Sequence, residues 1–268
     1  MTGRSFDHER ARPTGGRLAS RLRRPAFSAG AARDSVRRQR VRGRLAAIAA
    51  ALVAVVFLAS PRPAAATQEV VDLELVLAVD VSWSMDIEEQ VLQRDGYVAA
   101  FRHPEVIAAI QSGDWGRIAV TYVEWAGVGL SHVRVPWMIV EGPESALAFA
   151  EELAAAPLGR LRRTSISAAL DRVGEMFADN GVEGMRRVVD VSGDGPNNMG
   201  GPVLEARDRL LAEGVTINGL PIMLDRPGQT SFFQIEDLDI YYEDCVIGGF
   251  GSFVIPVRSR EGFKDAIR

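Results

Sequence analysis

The sequence predicts a doubly wound α/β fold: a mostly parallel central sheet with one antiparallel edge strand and helices on both faces. Three observations carry the prediction. Residues 73–79 (LELVLAV) and 186–195 (RRVVDVSGDG) hold near-continuous apolar runs, as expected of parallel strands covered on both faces. Segments with helical spacing alternate with such runs along the chain. Residues 117–127 and 132–140 are β-branched and aromatic and lie too close in sequence for a crossover. They predict an antiparallel hairpin ending at an edge, where Pro136 is tolerated.

Taken in order, residues 73–79 form the first strand, residues 86–101 a helix (Ile87, Val91, Leu92, Val98 and Phe101 on one side) and residues 104–111 a second short helix. The hairpin follows. Residues 145–156 are helical and stop before Pro157, and residues 165–178 are helical again. The stretch 186–195 is a strand (RRVVDVSG) running into a Gly-rich loop, residues 203–213 form a helix closed by Gly214, and residues 216–222 return as a strand. Residues 225–245 read as loop plus a short helix, residues 252–257 as a last strand, and residues from Arg260 as a final helix. No internal repeat is visible.

Charge divides the chain. Residues 1–66 carry 14 Arg, no Lys and three acids, a net +11; the remaining 17 basic and 32 acidic residues leave the rest at −15. A surface that acidic excludes a phosphate-tracking groove, so no nucleic-acid partner is expected. Within the basic segment, RRQRVRGR (37–44) precedes the apolar LAAIAAALVAVVFLA (45–59) and then SPRPAAA, ending at Ala64, Ala65 and Ala66. This is the order of a secretory signal. The apolar run is shorter than the ~20 residues of a spanning helix. Residues 1–66 are therefore expected to be a basic segment plus signal peptide, with cleavage near Thr67 and a periplasmic or extracellular domain over 67–268. A single-pass anchor, with residues 45–58 uncleaved, is the alternative. Cys245 is the only cysteine, so no internal disulfide can form, and three histidines (His8, His103, His132) leave little supply for a zinc site or a Ser-His-Asp triad.

Chemistry-bearing residues collect at predicted strand ends, where open α/β sheets bind ligands. Asp80 closes the first strand, Ser82 and Ser84 follow at alternate positions, Thr164 opens a helix, and Asp194 lies just past the RRVVDVSG strand at 186–193. Two carboxylates and three hydroxyls are hard oxygen donors suited to Mg²⁺, with Mn²⁺ or Ca²⁺ as alternatives. Each residue also has a plainer reading. Ser82 and Ser84 could cap the following helix, and Asp194 could serve the turn before Gly195.

Asp80-x-Ser82-x-Ser84, Thr164 and Asp194-Gly195 resemble the metal-ion-dependent adhesion site (MIDAS) of von Willebrand factor type A (VWA) domains. The resemblance runs from residue 73 to the last residue by order of elements, and implies one Mg²⁺ held by those five residues. EWAG (124–127), VDVSGDGPNN (189–198), INGLPI (217–222) and CVIGGFGSF (245–253) further resemble a bacterial family of secreted VWA-like proteins of unknown function. Two positions depart from the VWA pattern: Trp83 and Arg163 stand where Gly is common. The implied function is a metal-dependent protein-binding module taking a partner's Asp or Glu carboxylate, without catalysis. A membrane-anchored assembly subunit is one rival. A metal-assisted hydrolase is the other, and would need Asp190 or Glu124 as base. Asp190 is expected to meet a hydrogen-bond donor, Glu124 and Trp125 to pack, Asn197 and Asn198 to serve their loop, and Cys245 to be buried. Trp83 is expected either to pack beneath its loop or to stand at the rim as a binding anchor.

Overall fold

The computed structural model describes residues 68–178, 180–224 and 235–267. The segment 1–66 and its signal pattern lie outside these residues, as does much of the expected loop at 225–245. Among the described residues no helix is long and apolar enough to cross a membrane.

Five strands form one sheet: β1 (Glu69–Asp80), β2 (Ile118–Trp125), β3 (Ser131–Val140), β4 (Val182–Gly193) and β5 (Val215–Pro221), in the order β3-β2-β1-β4-β5. β1 pairs parallel with both β2 and β4, and β4 pairs parallel with β5. Only β3 is antiparallel, at the edge beside β2. Its register slips around Tyr122, with Val120 opposite Met138 and Tyr122 opposite Val135. Pro136 and Trp137 thus face Thr121 alone, a bulge at the residue that has no N–H to give. The Thr121 hydroxyl donates to the Val135 carbonyl at 2.8 Å instead.

The helices are α1 (Ile87–Phe101), α2 (Pro104–Gln111), α3 (Pro143–Ala155), α4 (Ile166–Ala178), α5 (Val203–Ala212), α6 (Leu238–Tyr241) and α7 (Phe263–Ile267), with a π turn at Tyr242–Val246. β1 shows why both faces need covering. Leu77 and Val79 pack with Tyr97 and Phe101 of α1 and Phe149 and Leu153 of α3. Val76 and Ala78, one residue out of phase, pack with Ile166, Leu170 and Phe177 of α4, Leu210 of α5 and Tyr242. A parallel strand with a two-residue side-chain period must be apolar at every position to feed two cores.

β1 begins at Glu69, four residues before the expected start, and further boundaries differ from expectation. β4 begins at Val182, four residues early, because buried Glu74 of β1 accepts from the Gly184 amide at 2.8 Å while the Asn180 side-chain oxygen Oδ1 accepts from the Val182 amide at 3.0 Å. Those side-chain contacts extend a strand whose sequence there (VEGM) lacks an apolar run. The expected last strand at 252–257 is reduced to isolated bridges, Gly219 with Val254 and Ile222 with Val257. Gly249 and Gly251 both take positive φ just before it, so the segment meets β5 at points rather than along a ladder. Helix α1 is capped by Asp86, whose carboxylate accepts the Glu89 amide at 2.7 Å while Glu89 accepts the Asp86 amide at 3.0 Å. This reciprocal cap takes the role the two serines could have filled.

Candidate functional site

In this strand order the chain leaves β1 toward β2 on one side and β4 lies on the other, so the carboxyl ends of β1 and β4 flank the sheet's topological switch point. Asp80 is the last residue of β1. The loop beyond it is pinned on both flanks: the Val81 amide donates to the Trp125 carbonyl at 3.0 Å, and the Leu161 amide donates to the Val81 carbonyl at 2.9 Å. The Asp80 carboxylate then accepts the Ser82 amide at 2.7 Å. The hydroxyls of Ser82 and Ser84 lie 2.8 Å apart, as alternation in an extended loop requires. The Ser84 hydroxyl donates to the Asp194 carboxylate at 2.6 Å.

Thr164 arrives from a third segment. The Ser165 amide donates to the Ala126 carbonyl at 2.8 Å, and Thr164 exchanges bonds with Asn198, amide to side-chain oxygen at 3.0 Å and carbonyl to amide at 2.9 Å. Asn197 accepts from the Ser167 amide at 3.2 Å and donates to the Gly201 carbonyl at 3.2 Å. The two asparagines thus fasten the Asp194 loop to the head of α4. All five sequence-predicted residues meet here: four lie in one hydrogen-bonded chain, and Thr164 shares with Ser82 and Ser84 a pocket of about 270 Å³ whose other walls are Trp83, Arg162, Arg163 and Asn198.

The electrostatics are those of an anion pair taken out of water. Asp80 is 0% exposed and Asp194 2%. Burial, and then the charge of Asp194, push the Asp80 carboxyl well above the ordinary carboxylate range. Its Oδ2 is buried with no hydrogen-bond partner. Asp80 is therefore beneath the surface. The Asp80 and Tyr242 side chains crowd this close to β4 because residue 193 is glycine: a Cβ there would stand 3.0 Å from Asp80 Oδ2 and 2.9 Å from the Tyr242 hydroxyl. That Tyr242 hydroxyl is also buried without a partner, and burial, then Asp80 and Asp194, raise its pKa. Sequence reasoning missed Tyr242; the adjacent aromatics Tyr241 and Tyr242 in the acidic stretch DLDIYYED were the only signal.

Two carboxylates and three hydroxyls fit a hard divalent cation, and the orphaned Asp80 oxygen lacks the partner that such an ion would be. No group of three or more His, Cys, Asp or Glu gathers among the described residues, so any cation here would rest on hydroxyl oxygens as much as on carboxylates.

The side chains of Glu124, Asp190, Trp125 and Cys245 take none of the hydrogen bonds of this cluster. Buried Glu124 forms an ion pair with partly exposed Arg134 at 2.6 Å. Asp190 accepts from the Asn218 amide group at 2.8 Å, the donor expected for it, and burial raises its pKa. Trp125 is buried in the core, and Cys245 is half-buried in the π turn. Trp83 is 52% exposed: of its two expected placements, the structure takes the rim.

Comparison with known proteins follows this geometry. Proximal thread matrix protein 1 (PTMP1) from the mussel byssus matches 75% of this chain and 47% of its own, with 14% identity and a TM-score of 0.56. The same protein solved with a zinc-occupied MIDAS motif matches at a TM-score of 0.50, with 14% identity over 74% of this chain and 45% of that one. The pilus adhesin SpaC from Lactobacillus rhamnosus GG matches 75% of this chain and 30% of its own, at 14% identity and a TM-score of 0.53. A von Willebrand factor type A protein from Catenulispora acidiphila aligns at 16% identity over 74% of this chain and 41% of that one, with a TM-score of 0.48. The chain thus spans less than half the length of each of these proteins. No curated relative matches the sequence. The fold is VWA-like, and because the family model described as "Protein of unknown function (DUF1194)" matches residues 69–268, most of its length, the chain belongs to the DUF1194 family.

Proposed function

We propose that residues 67–268 form an exported, metal-dependent protein-binding module. Asp80, Ser82, Ser84, Thr164 and Asp194 would hold a divalent cation, Mg²⁺ first, with Mn²⁺ or Ca²⁺ as alternatives. When bound, the cation supplies a Lewis-acidic position for one anionic oxygen, which a partner's Asp or Glu carboxylate takes. The observation that carries this reading is the Asp80 Oδ2 atom, buried without a partner beside a second buried carboxylate. Two such groups cost stability together, and a cation between them offsets that cost. The zinc-occupied MIDAS motif of a protein sharing this fold supports the choice of a metal. Export rests on the signal pattern in residues 37–66.

The role proposed is binding and not catalysis. The two candidate bases are each committed, Glu124 to Arg134 and Asp190 to Asn218. Turnover in a hydrolase screen with Mg²⁺ would replace this reading. Calorimetric titration of Mg²⁺ and Mn²⁺ tests it directly: one binding event is expected in the wild type and none in Asp80→Asn. Equal heats in both proteins, or no binding in the wild type, sink the metal assignment.

A further inference from the structure

The rim of the metal pocket reverses the charge of the molecule around it. Residues 67–268 carry a net −15, yet Arg160, Arg162 and Arg163 stand side by side and exposed immediately before Thr164. No carboxylate pairs with any of the three among the described residues, although eight other arginines there have acidic partners. Their positions are built. Arg160 donates to the Trp83 carbonyl at 3.3 Å. The Arg162 guanidinium lies 4.1 Å over the Trp83 ring, and such stacking fixes its plane and leaves the N–H edge to bind an anion. Arg163 has φ +71°, the one non-glycine residue in the left-handed region among the described residues. A side chain kept at a backbone position that glycine would occupy without strain points to a use for it.

We propose that this rim is an anion subsite and that the partner is an extended acidic peptide segment. One carboxylate goes to the metal position and neighbouring Asp or Glu side chains go to Arg160, Arg162 and Arg163, with Trp83 as the platform between them. The inference rests on the metal reading above for its first contact and adds the class of partner. A planar guanidinium edge matches a carboxylate bidentately, and a local positive rim lets an acidic partner approach a molecule that otherwise repels it.

The test uses labelled poly-glutamate as probe, in Mg²⁺, against wild type, Asp80→Asn, and a triple variant Arg160→Gln, Arg162→Gln, Arg163→Gly. Manganese calorimetry runs on each. Removing three cations beside a cation site should leave Mn²⁺ binding as tight as in wild type or tighter, which also shows the variant is folded. Poly-glutamate should bind the variant roughly tenfold more weakly, with a flatter salt dependence. Opposite movement of the two affinities supports the subsite. Unchanged poly-glutamate affinity in the variant, with Mn²⁺ still bound, overturns it and leaves the metal reading standing. Absence of Mn²⁺ binding in the wild type removes the metal reading and, with it, the first contact proposed here. Tighter binding of heparin than of poly-glutamate by the wild type also overturns it, in favour of a sulfated glycan.

Discussion

Asp80 sets the chemistry of the site at the scale of single residues. An ionised carboxylate buried beside Asp194 is a stability cost in the metal-free protein. Asp80→Asn keeps an oxygen for the Ser82 amide and removes the charge, so metal-free Asp80→Asn should unfold in urea at a denaturant midpoint equal to or above wild type. Mg²⁺ at a hundred times its dissociation constant should add about 2.7 kcal/mol to the wild type and nothing to the variant. A Tm shift with Mg²⁺ in both proteins counts against Asp80 as a ligand. Trp83, half-exposed and stacked under Arg162, should cost about 1–3 kcal/mol of stability when changed to Ala, since only about half of its area leaves water on folding, less than a fully buried tryptophan would cost. A further loss should fall on partner capture, at about 2 kcal/mol or more if it is a binding anchor. Denaturation and capture measured on the same preparation separate the two. Arg163→Gly relieves a left-handed backbone and should stabilise by about 1 kcal/mol at most, because glycine's extra freedom in the unfolded chain offsets part of the gain. A destabilised Arg163→Gly would mean that its side chain holds the Thr164 loop.

At the scale of elements, the junction of β1 and β4 depends on Glu74, which accepts the Gly184 amide and an amide hydrogen of Asn180. Glu74→Ala leaves both donors unpaired in a half-buried place and should cost about 1–2 kcal/mol by chemical denaturation. The middle of the same pair holds Asp190, beside Leu77 in register. Burial raises its pKa above 3.8 despite the Asn218 bond. Its folded form therefore holds a proton more tightly than the unfolded form. As pH rises from the unfolded pKa through the folded one, the unfolded chain gives up its proton first and stability falls. The contribution is a destabilisation that is absent below about pH 4 and fully present above the folded pKa. Asp190→Asn, which can still accept from Asn218, should flatten that decline and raise stability at neutral pH. An unchanged pH profile would show that Asp190 titrates as it does in the unfolded chain. The helix caps needed no such tertiary partner: Asp86 and Glu89 are three residues apart and cap α1 by themselves.

Across the whole molecule, the charge asymmetry between residues 1–66 and 67–268 bears on export. Exported protein is expected to start near Thr67, and mass spectrometry of the secreted fraction reads this directly. A stable membrane species retaining residues 45–58 would favour the anchored form instead. The doubly wound sheet and its edge hairpin were legible because both rest on periodicity and link length, which are local properties of the sequence. Residues 73–79 could only be a strand buried on both faces, and nothing but a hairpin fits the link before residue 132. Asp80, Ser82, Ser84, Thr164 and Asp194 were legible as oxygen donors for a related reason: each sits just beyond a predicted element, and the order of elements places those ends together.

The sequence by itself determined the alternation of strands and helices, the charge balance and the supply of hard oxygen ligands, because composition, spacing and period are properties of the chain before it folds. Tertiary structure alone decided the rest. It drew β4 back to Val182 through Glu74 and Asn180, and it reduced residues 252–257 to isolated bridges where glycines break the ladder. It buried the Tyr242 hydroxyl beside the Asp80–Asp194 pair and turned Trp83 outward under Arg162. Residues 74 and 184, or 80 and 242, share no local signal. Their energies come from burial and from charges brought together by the fold, and neither exists until the distant segments have met.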